Sequence, residues 1–149
     1  MCGICAFIGN FNGVKYAFDG IKVLQNRGYD SCGICYIENN LLNTIKHAST
    51  NVNNSSDLLE KEILDLKINS TTAILHTRWS THGPPTDRNS HPHHDNKNRI
   101  ALVHNGIIEN FHELKEELIK KGYIFHSQTD TEVISVLIGF TTSCSPSSM

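Results

Sequence analysis

An α+β fold is what the sequence predicts, and three observations carry it. Short apolar runs of strand length recur between turn residues. Stretches with helical apolar spacing are interspersed with them, without regular βαβ alternation. Hydrophobic residues at 38% and charged residues at 19% over 149 positions fit one folded domain with a single core. In chain order, residues 2–9 (CGICAFIG) read as a buried strand ended by Gly9-Asn10. Ala17, Phe18, Ile21 and Leu24 recur at helical spacing, which predicts a helix over 14–26. Strands over 32–38 and 41–48 flank Glu38-Asn39-Asn40 as a hairpin. The polar run 49–57 is a surface loop ending in a Ser/Asp helix cap, and Leu58, Leu59, Ile63 and Leu66 form a short amphipathic helix. A strand at 71–76, a long loop rich in His, Pro and Asn at 77–98, and a strand at 99–104 follow. Asn110 with Glu113 three residues on reads as a capping box, so a helix covers 110–121 and Gly122 ends it. Residues 123–127 (YIFHS) predict a further strand, and Thr129-Asp130-Thr131-Glu132 opens a helix over 130–140. The tail 141–149 has no apolar period and reads as a frayed polar end.

The charge balance narrows the function classes. Thirteen basic against fifteen acidic residues give a formal net charge of -2, which removes the electrostatic case for nucleic acid or an anionic membrane as partner. No apolar run reaches the roughly 18 residues of a membrane helix, and the N-terminus lacks the basic region of a signal peptide. Five cysteines without a secretory signal point to a reducing compartment, so the expected location is the cytoplasm.

Cys2 follows the initiator Met, which is usually trimmed before a small side chain. A chain that begins with cysteine carries nucleophile and base in one residue. Its α-amine, with a reference pKa of about 7.7–8.0, can take the thiol proton, and the thiolate then attacks a carbonyl. From position alone, Cys2 reads more simply as a small core residue, since buried free cysteine is common.

Six strings lift that ambiguity. They are Cys2-Gly3-Ile4; Arg27-Gly28-Tyr29-Asp30-Ser31; His76-Thr77-Arg78-Trp79-Ser80-Thr81-His82-Gly83; Asn89-Ser90-His91-Pro92-His93; Val103-His104-Asn105-Gly106-Ile107-Ile108-Glu109-Asn110; and Thr129-Asp130-Thr131-Glu132-Val133. In this order they resemble the class II (N-terminal nucleophile) glutamine amidotransferases. Within them RGYDS, HTRWSTHG and HNGIIEN look like the glutamine–fructose-6-phosphate aminotransferases, also called glucosamine-6-phosphate synthases. The resemblance implies a four-layer α-β-β-α sandwich of the N-terminal nucleophile hydrolase type, with strands 2–9, 32–38, 41–48, 71–76 and 99–104 in two stacked sheets. It implies L-glutamine as substrate and calls for no cofactor. Cys2 would form a γ-glutamyl thioester and expel ammonia. Asn105, by its side-chain amide, and Gly106, by its backbone N–H, would make the oxyanion hole. Arg78 would hold the α-carboxylate of glutamine and Asp130 its α-ammonium. Trp79, Thr81 and His82 would lie on the loop that closes over it. Without the resemblance, Asn105-Gly106 is a strand-ending turn, Arg78 a surface arginine and Asp130 a helix cap.

The family's enzymes continue into two sugar isomerase domains, which are absent here, and their glutaminase domain runs beyond residue 149. The expected organisation is therefore a partial glutaminase domain over 1–140 and a polar tail over 141–149, with a separate isomerase domain or a full-length homologue as a further partner. An inactive or regulatory fragment of such an enzyme is the alternative. A different class of reading comes from two C-x-x-C pairs, Cys2-Cys5 and Cys32-Cys35, which could bind zinc. Both pairs sit in apolar strand-like runs, and the 26 residues between Cys5 and Cys32 exceed the usual 15–20 spacing. His91, His93 and His94 alternate on an irregular stretch without a supporting carboxylate, and read as polar loop residues near the site rather than as metal ligands.

Overall fold

The computed structural model describes residues 2–24, 26, 29–80 and 83–143. The predicted 14–26 helix ends early, at Val23, where the Leu24 N–H turns back to the Ile21 carbonyl; Gln25 and the tail beyond Ser143 lie outside the described residues. Strand β1 (Gly3–Ile8) leads into helix α1 (Val14–Val23), then strands β2 (Ser31–Glu38) and β3 (Leu41–Ala48) and helix α2 (Ser55–Asp65). Strand β4 (Thr72–Arg78) follows, then the two-residue strands β5 (His93–His94) and β6 (Ala101–Leu102), and helices α3 (Phe111–Lys120) and α4 (Thr131–Ser143). The four long strands form one antiparallel sheet in the order β1-β4-β2-β3, and β5 pairs with β6 in a second.

Asn39 and Asn40 close the β2–β3 hairpin with φ of 53° and 61°, and Glu38 pairs with Leu41. Two left-handed residues make the turn whose twist matches the strands, and asparagine tolerates that region best after glycine. Alternation then sorts the sheet's side chains. Cys32, Ile34 and Tyr36 of β2, Ala73 and Leu75 of β4, and Ile45 of β3 face α1 and α2, where Val14, Phe18, Ile21, Leu59 and Ile63 complete the main core. Ile21, Ile34, Leu59 and Leu75 are wholly buried, each contributing about 1.5–3 kcal/mol of transfer free energy. The opposite face carries Gly33, Cys35, Thr44, Lys46, His76 and Arg78, and receives the β5–β6 layer with α4 behind it. The layer order is α-β-β-α. The inward face of edge strand β1, with Ile4 and Ile8, stays exposed.

Gly33 sets how closely the layers approach. A Cβ there would lie 2.2 Å from the His91 carbonyl oxygen and 3.0 Å from that of Ile45. Both obstacles are backbone, so Gly33→Ala should destabilise the protein by about 1–3 kcal/mol, read as a lower urea midpoint. An unchanged midpoint would mean that the layers are looser than described.

Several elements differ from the sequence prediction. The segment 123–127 forms no regular element and pairs with no strand. Tyr123 and Phe125 instead pack against Leu118, Val133 and Val136 of α3 and α4. Side chains satisfy its backbone: Ile124 N–H donates to Asn96 Oδ1 (2.9 Å), and His126 and Ser127 N–H donate to the Glu132 carboxylate (2.8 and 2.7 Å). The 99–104 strand shrinks to Ala101–Leu102, because Asp95 Oδ1 captures the N–H groups of Arg99 (2.6 Å) and Ile100 (3.0 Å). Its partner β5 lies inside the stretch read as a loop. Helix α2 is capped by Asn54, which accepts from Ser56 N–H, rather than by Ser or Asp. Asn110 occupies the N-cap position of α3 without a side-chain cap bond, so the capping box does not form. That helix does end as predicted: Gly122 (φ 87°) and Tyr123 donate to Ile119 and Leu118 carbonyls in a Schellman arrangement. Helix α4 runs to Ser143 rather than Phe140, so residues 141–143 are helical and not frayed.

Candidate active site

Cys2 stands directly before β1, and the register Gly3↔Thr77 sets it beside the end of β4. Gly3 N–H donates to the buried Thr77 hydroxyl (3.1 Å), which pins the start of the strand. The Trp79 N–H then reaches the Cys2 sulfur at 3.2 Å, and the Trp79 carbonyl lies 3.7 Å from it. Across the inter-sheet space, Asn105 Nδ2 donates to the Cys2 carbonyl oxygen at 3.0 Å. Residues 103 positions apart in sequence therefore touch. Gly106 follows Asn105, and a Cβ on it would fall 2.7 Å from His104 Nε2.

Arg78 ends β4 and is buried. Its guanidinium donates to the carbonyls of Pro84 (Nη1, 3.4 Å) and Gly83 (Nη2, 3.3 Å), which tie it to the loop after β4. Burial lowers its pKa, while the charges of Cys2, Asp30 and Asp130 act in the opposite direction. All three groups therefore act electrostatically on this one buried cation. Asp130, also buried, accepts the Ile108 N–H at 2.7 Å just ahead of α4. Trp79 is half-exposed and packs edge-to-face on Tyr29, with ring centroids 5.6 Å apart. Thr81 and His82 lie outside the described residues.

Sequence reasoning missed two residues here. Asp30 stitches the site's floor: its carboxylate accepts Ser80 N–H (2.7 Å) and its own N–H donates to Arg78 O (3.1 Å). His76 Nε2 lies 2.8 Å from Asn105 Oδ1. Position 76 could have been flagged as a polar residue inside an apolar strand. Asp30 gave no such signal beyond its place in RGYDS.

The loop histidines correct another expectation. His91 and His93 are buried between the layers, and His94 is half-buried. His76 and His91 rings lie 4.1 Å apart, and His91 and His93 rings 4.7 Å apart. Burial lowers the pKa of all four, that of His76 to about 4. They are neutral imidazoles of the interior, not polar loop side chains. The zinc reading fails on strand geometry. Residues three apart on a strand point to opposite faces, so Cys32 lies against the helices and Cys35 faces the second sheet. Among the described residues no group of three or more His, Cys, Asp or Glu is arranged to hold a metal ion.

The chain belongs to the glutamine amidotransferase domain family, whose profile matches residues 32–142. Its curated relatives are more particular. It is 46% identical over 140 residues to the glutamine–fructose-6-phosphate aminotransferase [isomerizing] of Clostridium perfringens, covering 94% of this chain and 22% of that protein. The protein of the same name from Thermococcus kodakarensis is 47% identical over 138 residues, with 93% and 22% covered. The chain thus spans about a fifth of the length of these relatives. Among solved structures, the glutamine phosphoribosylpyrophosphate amidotransferase of B. subtilis superposes on the whole chain with a TM-score of 0.75 at 26% identity, using 30% of its own length. A structure described as the allosteric regulatory enzyme of purine biosynthesis gives 0.77 at the same identity and coverage. The fold is that of the N-terminal nucleophile amidotransferases, here with a second sheet of two strands among the described residues. No helix among the described residues is long and apolar enough to cross a membrane.

Proposed function

We propose that residues 1–140 form a glutaminase unit in which Cys2, freed of Met1, hydrolyses the side-chain amide of L-glutamine. The observation that carries this reading is the meeting of Cys2, Trp79 and Asn105: a backbone N–H orients the sulfur, and a neutral amide nitrogen sits beside the same residue. The α-amine takes the thiol proton and the sulfur attacks the γ-carbonyl carbon. Asn105 Nδ2 and Gly106 N–H hold the oxygen as its negative charge develops. Collapse expels ammonia with that proton and leaves a thioester, which water cleaves to glutamate. Arg78 takes the α-carboxylate and Asp130 the α-ammonium; both are buried, and the Asp130 charge acts on Arg78. Trp79, Thr81 and His82 cover the bound amino acid. In a protein that also has the isomerase part, or with such a partner, the ammonia would go to fructose 6-phosphate and give glucosamine 6-phosphate. The reduced thiol that this chemistry needs suits the cytoplasm.

The test is ammonia release from glutamine by protein whose N-terminal cysteine is verified by mass spectrometry. Turnover without any glucosamine 6-phosphate is expected. Glutamine binding without turnover would overturn the catalytic reading in favour of an inactive or regulatory unit. Asn105→Ala should lower kcat by about 10²–10³ with little change in KM, because its amide acts mainly in the transition state. A raised KM at unchanged kcat would place Asn105 in ground-state binding instead.

A further inference from the structure

We propose that His76 is a positioning residue for this reaction: it locks the Asn105 side-chain amide with its nitrogen toward Cys2. The inference rests on the glutaminase reading for its kinetic consequence, but its structural content stands by itself. An asparagine amide can sit either way round, and its hydrogen-bond network decides which. The Cys2 carbonyl oxygen can only accept, so the Asn105 atom 3.0 Å from it must be the nitrogen. Oδ1 then faces His76 Nε2 at 2.8 Å, and because an amide oxygen only accepts, that ring nitrogen must carry the proton.

Two further observations fit this tautomer. His76 Nδ1 is buried and has no hydrogen-bond partner, and an acceptor left unpaired there costs less than an orphaned N–H would. The His91 ring lies against His76, tilted by 32°, and hinders its rotation. His91 Nδ1 in turn accepts the His104 N–H at 3.4 Å, so one stack holds the ring and the backbone leading to Asn105. Loss of the His76 donor would let the amide turn over. The reversed amide presents oxygen where negative charge develops, which opposes the transition state and leaves glutamine binding nearly untouched.

The experiment compares His76→Phe, which fills the ring's space without a donor, with His76→Gln, which returns an N–H. His76→Phe should lower kcat about 10–10²-fold with KM within about twofold, and His76→Gln should recover most of the loss. In an Asn105→Ala background, His76→Phe should cost no more than about twofold, because the group it positions is gone. Equal losses in Phe and Gln variants, a loss confined to KM, or losses that multiply in the double variant would overturn the proposal. The ring ¹⁵N spectrum of the wild-type protein decides it independently of activity and of whether the variants fold. A neutral His76 protonated on Nε2 at pH 7 is expected, and the Nδ1–H tautomer or a charged ring would refute the lock. A wild type with no turnover but the expected tautomer would fail the glutaminase reading and leave the lock in place.

Discussion

Cys2→Ala protein will release no ammonia from glutamine, with a loss of at least about 10⁴-fold, yet glutamine will still raise its melting temperature. Among the described residues, Cys2 is the one cysteine at the site. Cys5 and Cys32 belong to the core that faces α1 and α2, and burial pushes the Cys32 thiol up to about 12. Cys35 is buried beneath the second layer, and burial raises its pKa too. Cys32 and Cys35 cannot replace Cys2 as a thiolate near neutral pH, and Cys5 points to the helical side of the sheet, away from the site. Binding persists because Arg78 and Asp130 are held by backbone groups that Cys2 does not supply: the Gly83 and Pro84 carbonyls and the Ile108 N–H. Protein that keeps Met1 will behave alike, since acylation of the α-amine removes the base. An ammonia assay alongside a thermal-shift titration reads both halves of the result. Full turnover in Cys2→Ala would refute the mechanism.

The second large effect is acid instability well above the pH at which carboxylates titrate. His76, His91 and His93 are only 1%, 5% and 3% exposed, and burial lowers the pKa of each, that of His76 to about 4. An unfolded histidine titrates near 6.5. Below that value the unfolded chain binds protons that the folded chain refuses, so stability is complete above about pH 6.5 and falls as the pH drops. For His76 the loss is complete once the pH has passed through about 4. Each such ring contributes a slope approaching about 1.4 kcal/mol per pH unit, and three together about 4. Domains hold only about 5–15 kcal/mol in reserve, so unfolding should follow within a few pH units. Urea midpoints at pH 7, 6 and 5 should fall steeply and in step. A flat profile would mean that these rings are solvated.

Local patterns in the sequence were enough for the elements whose own side chains define them. Apolar runs marked β1 to β4, apolar spacing marked α1 and α2, Thr129-Asp130-Thr131-Glu132 marked the start of α4, and Lys121-Gly122 marked the end of α3. The misreadings share a cause. YIFHS has the composition of a strand, but Asn96 and Glu132 occupy the hydrogen bonds a neighbouring strand would have made. His93-His94 looks like loop and becomes a strand because Ala101 and Leu102 lie opposite it. Partners distant in sequence decided both cases, and no periodicity reports them. At the site, thiol chemistry could suggest Cys2, but only resemblance linked it to Arg78, Asn105 and Asp130, which by themselves read as a surface arginine, a turn and a helix cap. The His76–Asn105 contact spans 29 positions and leaves no trace in spacing.

The pairing of Gly3 with Thr77 also constrains how this chain can change over time. Side chains on a strand alternate strictly, so the six residues of β1 act as a counting device for the sulfur at its head. Substitutions along the strand alter packing and leave the count intact. Adding or deleting one residue between Cys2 and Gly9 would turn the sulfur to the helical side, away from Trp79 and Asn105. A change of two would restore the side but shift it by about 7 Å along the strand, beyond reach of both. Mutation can rewrite the letters of this opening segment, but its length is fixed.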